Sequence, residues 1–127
     1  MINVLRWSTR IAGLGALVLG ATFLFAPGWF ASSTLPLSLH MTLGGIVAVV
    51  LAILAGWALI HRVKVPAAIV ALVWAAAVIY VGTVQDWWVG ADSHVAMEII
   101  HPLLGIGAIG LAEMLAASIN RKRASLA

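Results

Sequence analysis

The chain contains no cysteine. Disulfides, thiolate-bound metals, iron–sulfur clusters, c-type haem attachment and a lipid-modified cysteine are therefore excluded. Charge is nearly as scarce. Among 127 residues, 7 are Lys or Arg and 4 are Asp or Glu, which makes 9% in all. An ordinary soluble domain carries about a quarter. So few charges cannot cover a water-facing surface, and they are too few for a disordered chain as well. What the chain does have is apolar. Hydrophobic residues make up 64% of it. They run continuously and do not alternate, which excludes an all-β reading. The formal net charge is +3. In so apolar a chain that basicity reads as membrane orientation, and no nucleic-acid partner is expected.

A helix needs roughly 20 apolar residues to cross a bilayer core. Four stretches qualify, at about Trp7–Phe25, Leu37–Ile60, Pro66–Val84 and Ser93–Ile119. Ala26-Pro27-Gly28 ends the first, and Pro36 leads into the second. Pro66 stands in a first turn, where its missing N–H is harmless. Asp92 or Ser93 is the expected N-cap of the fourth. The linkers are short, so consecutive helices should be antiparallel neighbours. The expected fold is all-α: one domain over 1–127, an integral membrane four-helix bundle of up-down topology.

The charges orient it. Arg6, Arg10, Arg62, Lys64, Arg121, Lys122 and Arg123 are all the basic residues, and four spans put them on one side. Asp86 and Asp92 fall on the other. The positive-inside rule then makes both termini cytoplasmic. Trp29, Trp87 and Trp88 lie in or near the outer loops, as an aromatic belt would. A competing reading treats the first stretch as a signal peptide, but no small-x-small cleavage pattern precedes Ser32. Richness in Ala, Gly and Val with only two lysines suggests a bacterial inner membrane.

Helix association in lipid relies on small residues. Ridges at spacing four run through His40, Gly44, Ala48, Ala52 and Gly56, and through His101, Gly105, Ala108, Ala112 and Ala116. Shorter ones are Ala12, Ala16 and Gly20, and Ala67, Ala71 and Ala75. The shorter ridges read as plain helix packing. The two longer ones begin at a histidine, so their small residues could also make room for a flat cofactor. No longer repeat is present beyond the shared His-x3-Gly. Pro102 should kink the fourth helix at His101.

Ionisable residues inside a membrane are functional candidates. His40 lies 20 residues before Ile60, and His101 lies 18 before Ile119. At ~1.5 Å per residue their depths differ by about 3 Å. Two imidazoles at one level on facing helices suit a bis-histidine haem b. The alternative is that each histidine simply hydrogen-bonds a neighbouring helix or water. Gly44 and Gly105 would flank the porphyrin. His94, Glu98 and His101 share one helix face, so His94 and Glu98 could serve as partners of the imidazole or as a proton path. Gln85 and Tyr80 could hydrogen-bond a propionate or a quinone carbonyl. Glu113 can snorkel or pair with Arg10. His61 beside Arg62 reads as interfacial. Glu98-x-x-His101 also matches half of a di-iron motif, but the second motif is missing and Glu113 is too deep.

With histidines on the second and fourth helices, the chain resembles one four-helix half of haem A synthase. The stretch Glu98-Ile-Ile-His101-Pro102-Leu103-Leu104-Gly105 is similar to that family's Glu-x-x-His-Arg stretch. Proline stands where the family has arginine, the motif sits on the fourth helix, and there is no second half. The resemblance implies a haem-binding bundle and does not extend to haem A synthesis. Small uncharacterised bacterial four-helix proteins with a similar His-x3-Gly and His-Pro pattern match equally well. Bis-His ligation leaves iron no open position, so electron transfer with a quinol or a protein partner is expected in place of catalysis. Two other readings stand beside it. One is a non-enzymatic accessory subunit of a larger membrane complex, or a homo-oligomer, based on the small-residue ridges. The other is a proton-coupled carrier using Glu98, His94 and His101. Four spans without repeats make a poor alternating-access machine.

Overall fold

A computed structural model describes residues 1–25, 34–88 and 94–126; the side chains of 23, 24, 85–88 and 94–98 lie outside that description. Four helices follow one another: α1 (Ile2–Phe25), α2 (Leu35–Ile60), α3 (Val65–Trp88) and α4 (His94–Ala124). Three segments among the described residues are long and apolar enough to cross a membrane: Leu35–Ile60, Val65–Val84 and Ile99–Ala124. The expected first span falls on α1, where Phe23 and Leu24 are outside the description. Trp29, the expected caps Asp92 and Ser93, and the region before Ser32 are outside it too.

Each helix except α2 extends several residues past its expected apolar run at one end or both. The apolar count stops at the first charges, whereas i→i−4 hydrogen bonding continues through them. Arg6 and Arg10 therefore sit inside α1, and Arg121, Lys122 and Arg123 inside the last turn of α4. Those three cations also complement the negative end of the helix dipole. Pro102 lies inside α4, whose helical assignment runs through it unbroken.

The turn from α2 to α3 is built with unusual residues. The Arg62 amide donates to the Leu59 carbonyl, and the Val63 amide to the Ala58 carbonyl at 2.7 Å. This is the Schellman pattern, which ends a helix with one residue in the left-handed region. That residue is Arg62, at φ 51°, and Lys64 follows at φ 49°. Glycine would adopt this geometry freely. The turn accepts the strain and keeps two cations at this end.

Helix contacts pair residues in a regular order. Asn120 donates to Asn3, Glu113 meets Arg6 and Arg10, Ile109 abuts Gly13, and Leu17 abuts Gly105. Numbers thus rise on α1 as they fall on α4. On α2, Val47, Leu43 and His40 meet Gly13, Gly15 and Gly20 in turn. α2 touches all three other helices. The core they enclose is small-residue rich, with Ala48, Ala55, Ala58, Ala68, Ala71, Ala108, Ala112 and Ala116 all buried. Leu51, Leu54, Leu115 and Ile119 fill the space between these alanines, and many other large side chains face outward. On α1 Val4, Trp7, Ile11, Leu14, Val18 and Phe25 are exposed along one helical stripe. Small residues at the helix contacts and large apolar ones on the outer faces fit helices in contact with lipid.

α3 is keyed to α4 by Trp74. Its indole N–H donates to the Leu104 carbonyl at 2.8 Å. The ring lies so close to Gly107 that a Cβ there would fall on it. A Cβ on Gly110 would meet nothing. Gly107→Ala should therefore cost about 1–3 kcal/mol through overpacking, while Gly110→Ala should be neutral. Thermal unfolding in mild detergent, followed by tryptophan fluorescence, checks the pair. In the same assay Arg62→Gly should stabilise by about 0.5–1 kcal/mol by relieving the left-handed turn.

Candidate functional site: a histidine pair between two helices

His40 on α2 and His101 on α4 meet. Their Nε2 atoms are 3.4 Å apart. The ring centroids are 5.6 Å apart and the planes are tilted by 37°. His40 follows the Pro36 turn that starts α2, and His101 sits directly before Pro102. Equal depth, reckoned by residue count from the basic end, thus translates into contact.

The proton positions follow from the partners. His40 Nδ1 lies 2.9 Å from the carbonyl oxygen of Ala16 on α1. A carbonyl only accepts, so Nδ1 carries the hydrogen and donates. A neutral His40 then bears its lone pair on Nε2. His101 Nε2–H donates to that lone pair, which leaves the His101 lone pair on Nδ1. That Nδ1 is buried without a hydrogen-bond partner among the described residues. The surroundings are therefore asymmetric: one imidazole is anchored to a backbone and the other is held only by its neighbour.

Helix α1 supplies more of the site than the sequence reading foresaw. A Cβ on Gly20 would stand 3.2 Å from His40 Cε1. A Cβ at position 20 would make the imidazole give by a few tenths of an ångström. Ala16 and Gly20 belong to a spacing-four ridge that reads as helix packing, and nothing in the residue order marks them as neighbours of His40. At Gly44 a Cβ would meet nothing within 4 Å, and at Gly105 only Leu17 Cδ2 at 3.6 Å. Open space thus adjoins His40 along α2, and ordinary van der Waals contact adjoins His101 along α4. His94, Glu98 and Gln85 have side chains outside the described set. Tyr80 is half exposed. No group of three or more His, Cys, Asp or Glu side chains forms a metal cage among the described residues.

The other ionisable groups gather at the basic end. Glu113 pairs with Arg10, as expected, and also with Arg6: Arg6 Nε lies 2.6 Å from Oε2, Arg10 Nε 2.5 Å from Oε1 and Arg10 Nη2 2.9 Å from Oε2. The His61 ring stacks on Trp57 at 3.9 Å, and Lys122 donates to the His61 carbonyl.

No protein-family model, curated protein or solved structure matches the chain. The chemistry of the pair therefore has to be argued from its own geometry. Two neutral imidazoles with facing Nε2 atoms, in apolar surroundings, can do two things. They can share one hydrogen bond, or they can offer two lone pairs to a metal between them. Nitrogen-15 spectra should show His40 protonated at Nδ1, the minor tautomer of free imidazole in water. Gly20→Val should shift that signal by displacing the ring from the Ala16 carbonyl.

Proposed function

We propose that the protein is a small b-type cytochrome-like electron-transfer module of a bacterial inner membrane. His40 and His101 would be the axial ligands of one haem b. The observation that carries this reading is the Nε2-to-Nε2 approach on two different helices, with the distal nitrogen of His40 fixed by a backbone carbonyl. A metal-ligating imidazole almost always donates its other N–H in this way. The donor set fits. The two Nε2 atoms, on different helices and 3.4 Å apart, are the donors that would hold the haem iron. Gly44, one turn along α2 from His40, leaves open space beside the pair.

The proton inventory adds support. Pro102 has no N–H, so the Glu98 carbonyl loses its helical donor. His101 Nδ1 is also an acceptor without a partner in the same helical turn. With its proton on Nδ1, His101 would offer Nε2 to the haem and a donor to this turn. One-electron transfer is the chemistry the haem supplies when bound. The chain's own residues would hold it, keep a proton on His40 Nδ1 and exclude water with apolar neighbours. A quinol or a protein would be the redox partner. The histidine placement behind the resemblance to half of haem A synthase favours the same cofactor.

The finer topology belongs to this reading. Opposed residue numbering along α1–α4 and α1–α2 contacts supports an antiparallel bundle. Seven cations at one end support cytoplasmic termini. A second reading, a non-enzymatic accessory subunit, draws on the fact that the imidazoles already reach each other with nothing between them.

One measurement separates the two. The purified chain, expressed with ample haem, is scanned with and without dithionite. A Soret band with sharpened reduced α and β bands is expected, and it should vanish in both His40→Ala and His101→Ala. Wild-type protein that is helical yet has no Soret band would overturn the cytochrome reading and favour the accessory one.

A further inference from the structure

The Arg6–Arg10–Glu113 cluster is independent of the histidine pair and has a property that pairing alone does not explain. Two guanidinium groups share one carboxylate, so the cluster keeps one net positive charge. Arg10 spends its Nε and Nη2 on Glu113, and Arg6 spends only its Nε. Arg6 Nη1 and Nη2 and Arg10 Nη1 have no acceptor among the described residues. Both arginine side chains are 34% exposed.

The depth is informative. Asn3 and Asn120 join at the ends of α1 and α4. Arg6 is three residues further along α1, about 5 Å deeper at ~1.5 Å per residue. Glu113 is seven residues from Asn120, about 10 Å deeper. A headgroup layer is about 5–8 Å thick on each side of the hydrocarbon core. Arg6 is thus within one headgroup thickness of the asparagine pair, at the level of a headgroup–hydrocarbon boundary if that pair reaches the outer limit. Trp7 lies beside it, 58% exposed, with the Arg10 guanidinium 4.8 Å from its ring centroid. Exposed tryptophan belongs at that boundary.

Charged groups at such a depth need an answering charge. Arginine forks match phosphate oxygens in geometry as well as in sign. Basic pockets between membrane helices take anionic headgroups. We propose that the α1–α4 seam at Arg6 and Arg10 binds the phosphodiester of an anionic phospholipid, with Glu113 holding both guanidinium groups in position and Trp7 lying against the glycerol region. The site is local. It is distinct from the general attraction of Arg62, Lys64 and the three cations at the end of α4.

The test uses the whole chain in mild detergent micelles, doped with either phosphatidylglycerol or phosphatidylcholine, and native mass spectrometry counts retained lipid. Phosphatidylglycerol should be retained and phosphatidylcholine should not. Millimolar inorganic phosphate should fail to displace it; displacement would assign the site to free phosphate and overturn the lipid form. Arg6→Gln loses a charge-assisted hydrogen bond of roughly 1.5 kcal/mol besides about 1 kcal/mol of surface attraction, so retention should fall at least about fiftyfold. Arg62→Gln, an identical change of charge at the same end, should lower retention no more than about fivefold, since it removes only general surface attraction. Equal losses in the two variants would show diffuse attraction only and overturn the site. Arg6→Lys keeps the charge and removes the fork, so it should also lose retention. It replaces Arg6→Gln if that variant loses helicity by circular dichroism. Equal retention of the two lipids by the wild type overturns the proposal without any variant.

Discussion

Everything in this molecule depends on how closely helices can approach where no water drives them together. In an apolar solvent, burying a leucine gains little, and backbone-to-backbone contact decides. Many of the fully buried positions are accordingly methyl-sized: Ala48, Ala55 and Ala58 on α2, Ala108, Ala112 and Ala116 on α4, Ala68 and Ala71 on α3, with Leu51, Leu54, Leu115 and Ile119 filling the space between them.

Polar groups in such surroundings must be answered, because water cannot answer them. Most are. Thr9 donates to the Leu5 carbonyl, Trp74 to Leu104, His40 to Ala16, and Glu113 receives two arginines. The exception among the described side chains is His101 Nδ1. It falls beside the single proline that interrupts helical hydrogen bonding within α4. An acceptor left bare in an apolar interior costs roughly 1–3 kcal/mol.

Much of this could be read from residue order. The four helices appear where long apolar runs predict them, because continuous hydrophobicity over a bilayer's width has few other solutions. The similar depth of His40 and His101 could be counted from the basic end, but the direct contact of their rings could not. Pairing with Arg10 was one of two readings of Glu113, open because both lie toward the same end. Arg6 joining them was missed, as it stands outside the apolar count although the helix runs through it. The Trp74 bond to Leu104 and the Gly107 contact were also missed. Both depend on how α3 is rotated about its axis, and an almost uniformly apolar sequence gives little sign of rotation. The left-handed Arg62 turn was hidden for a different reason, since glycine is the residue that normally signals it.

The Ala16 carbonyl has one further implication. It is a main-chain atom, and every residue type at that position would present the same oxygen. The grip on His40 is thus encoded in where α1 lies and not in what it is made of. Substitution at position 16 acts on the site only through bulk. Among descendants of this chain, the residue there could drift among small side chains while the imidazole kept its orientation. Comparing sequences would then show a variable position, and the contact that orients the histidine would leave no trace in the pattern of substitutions.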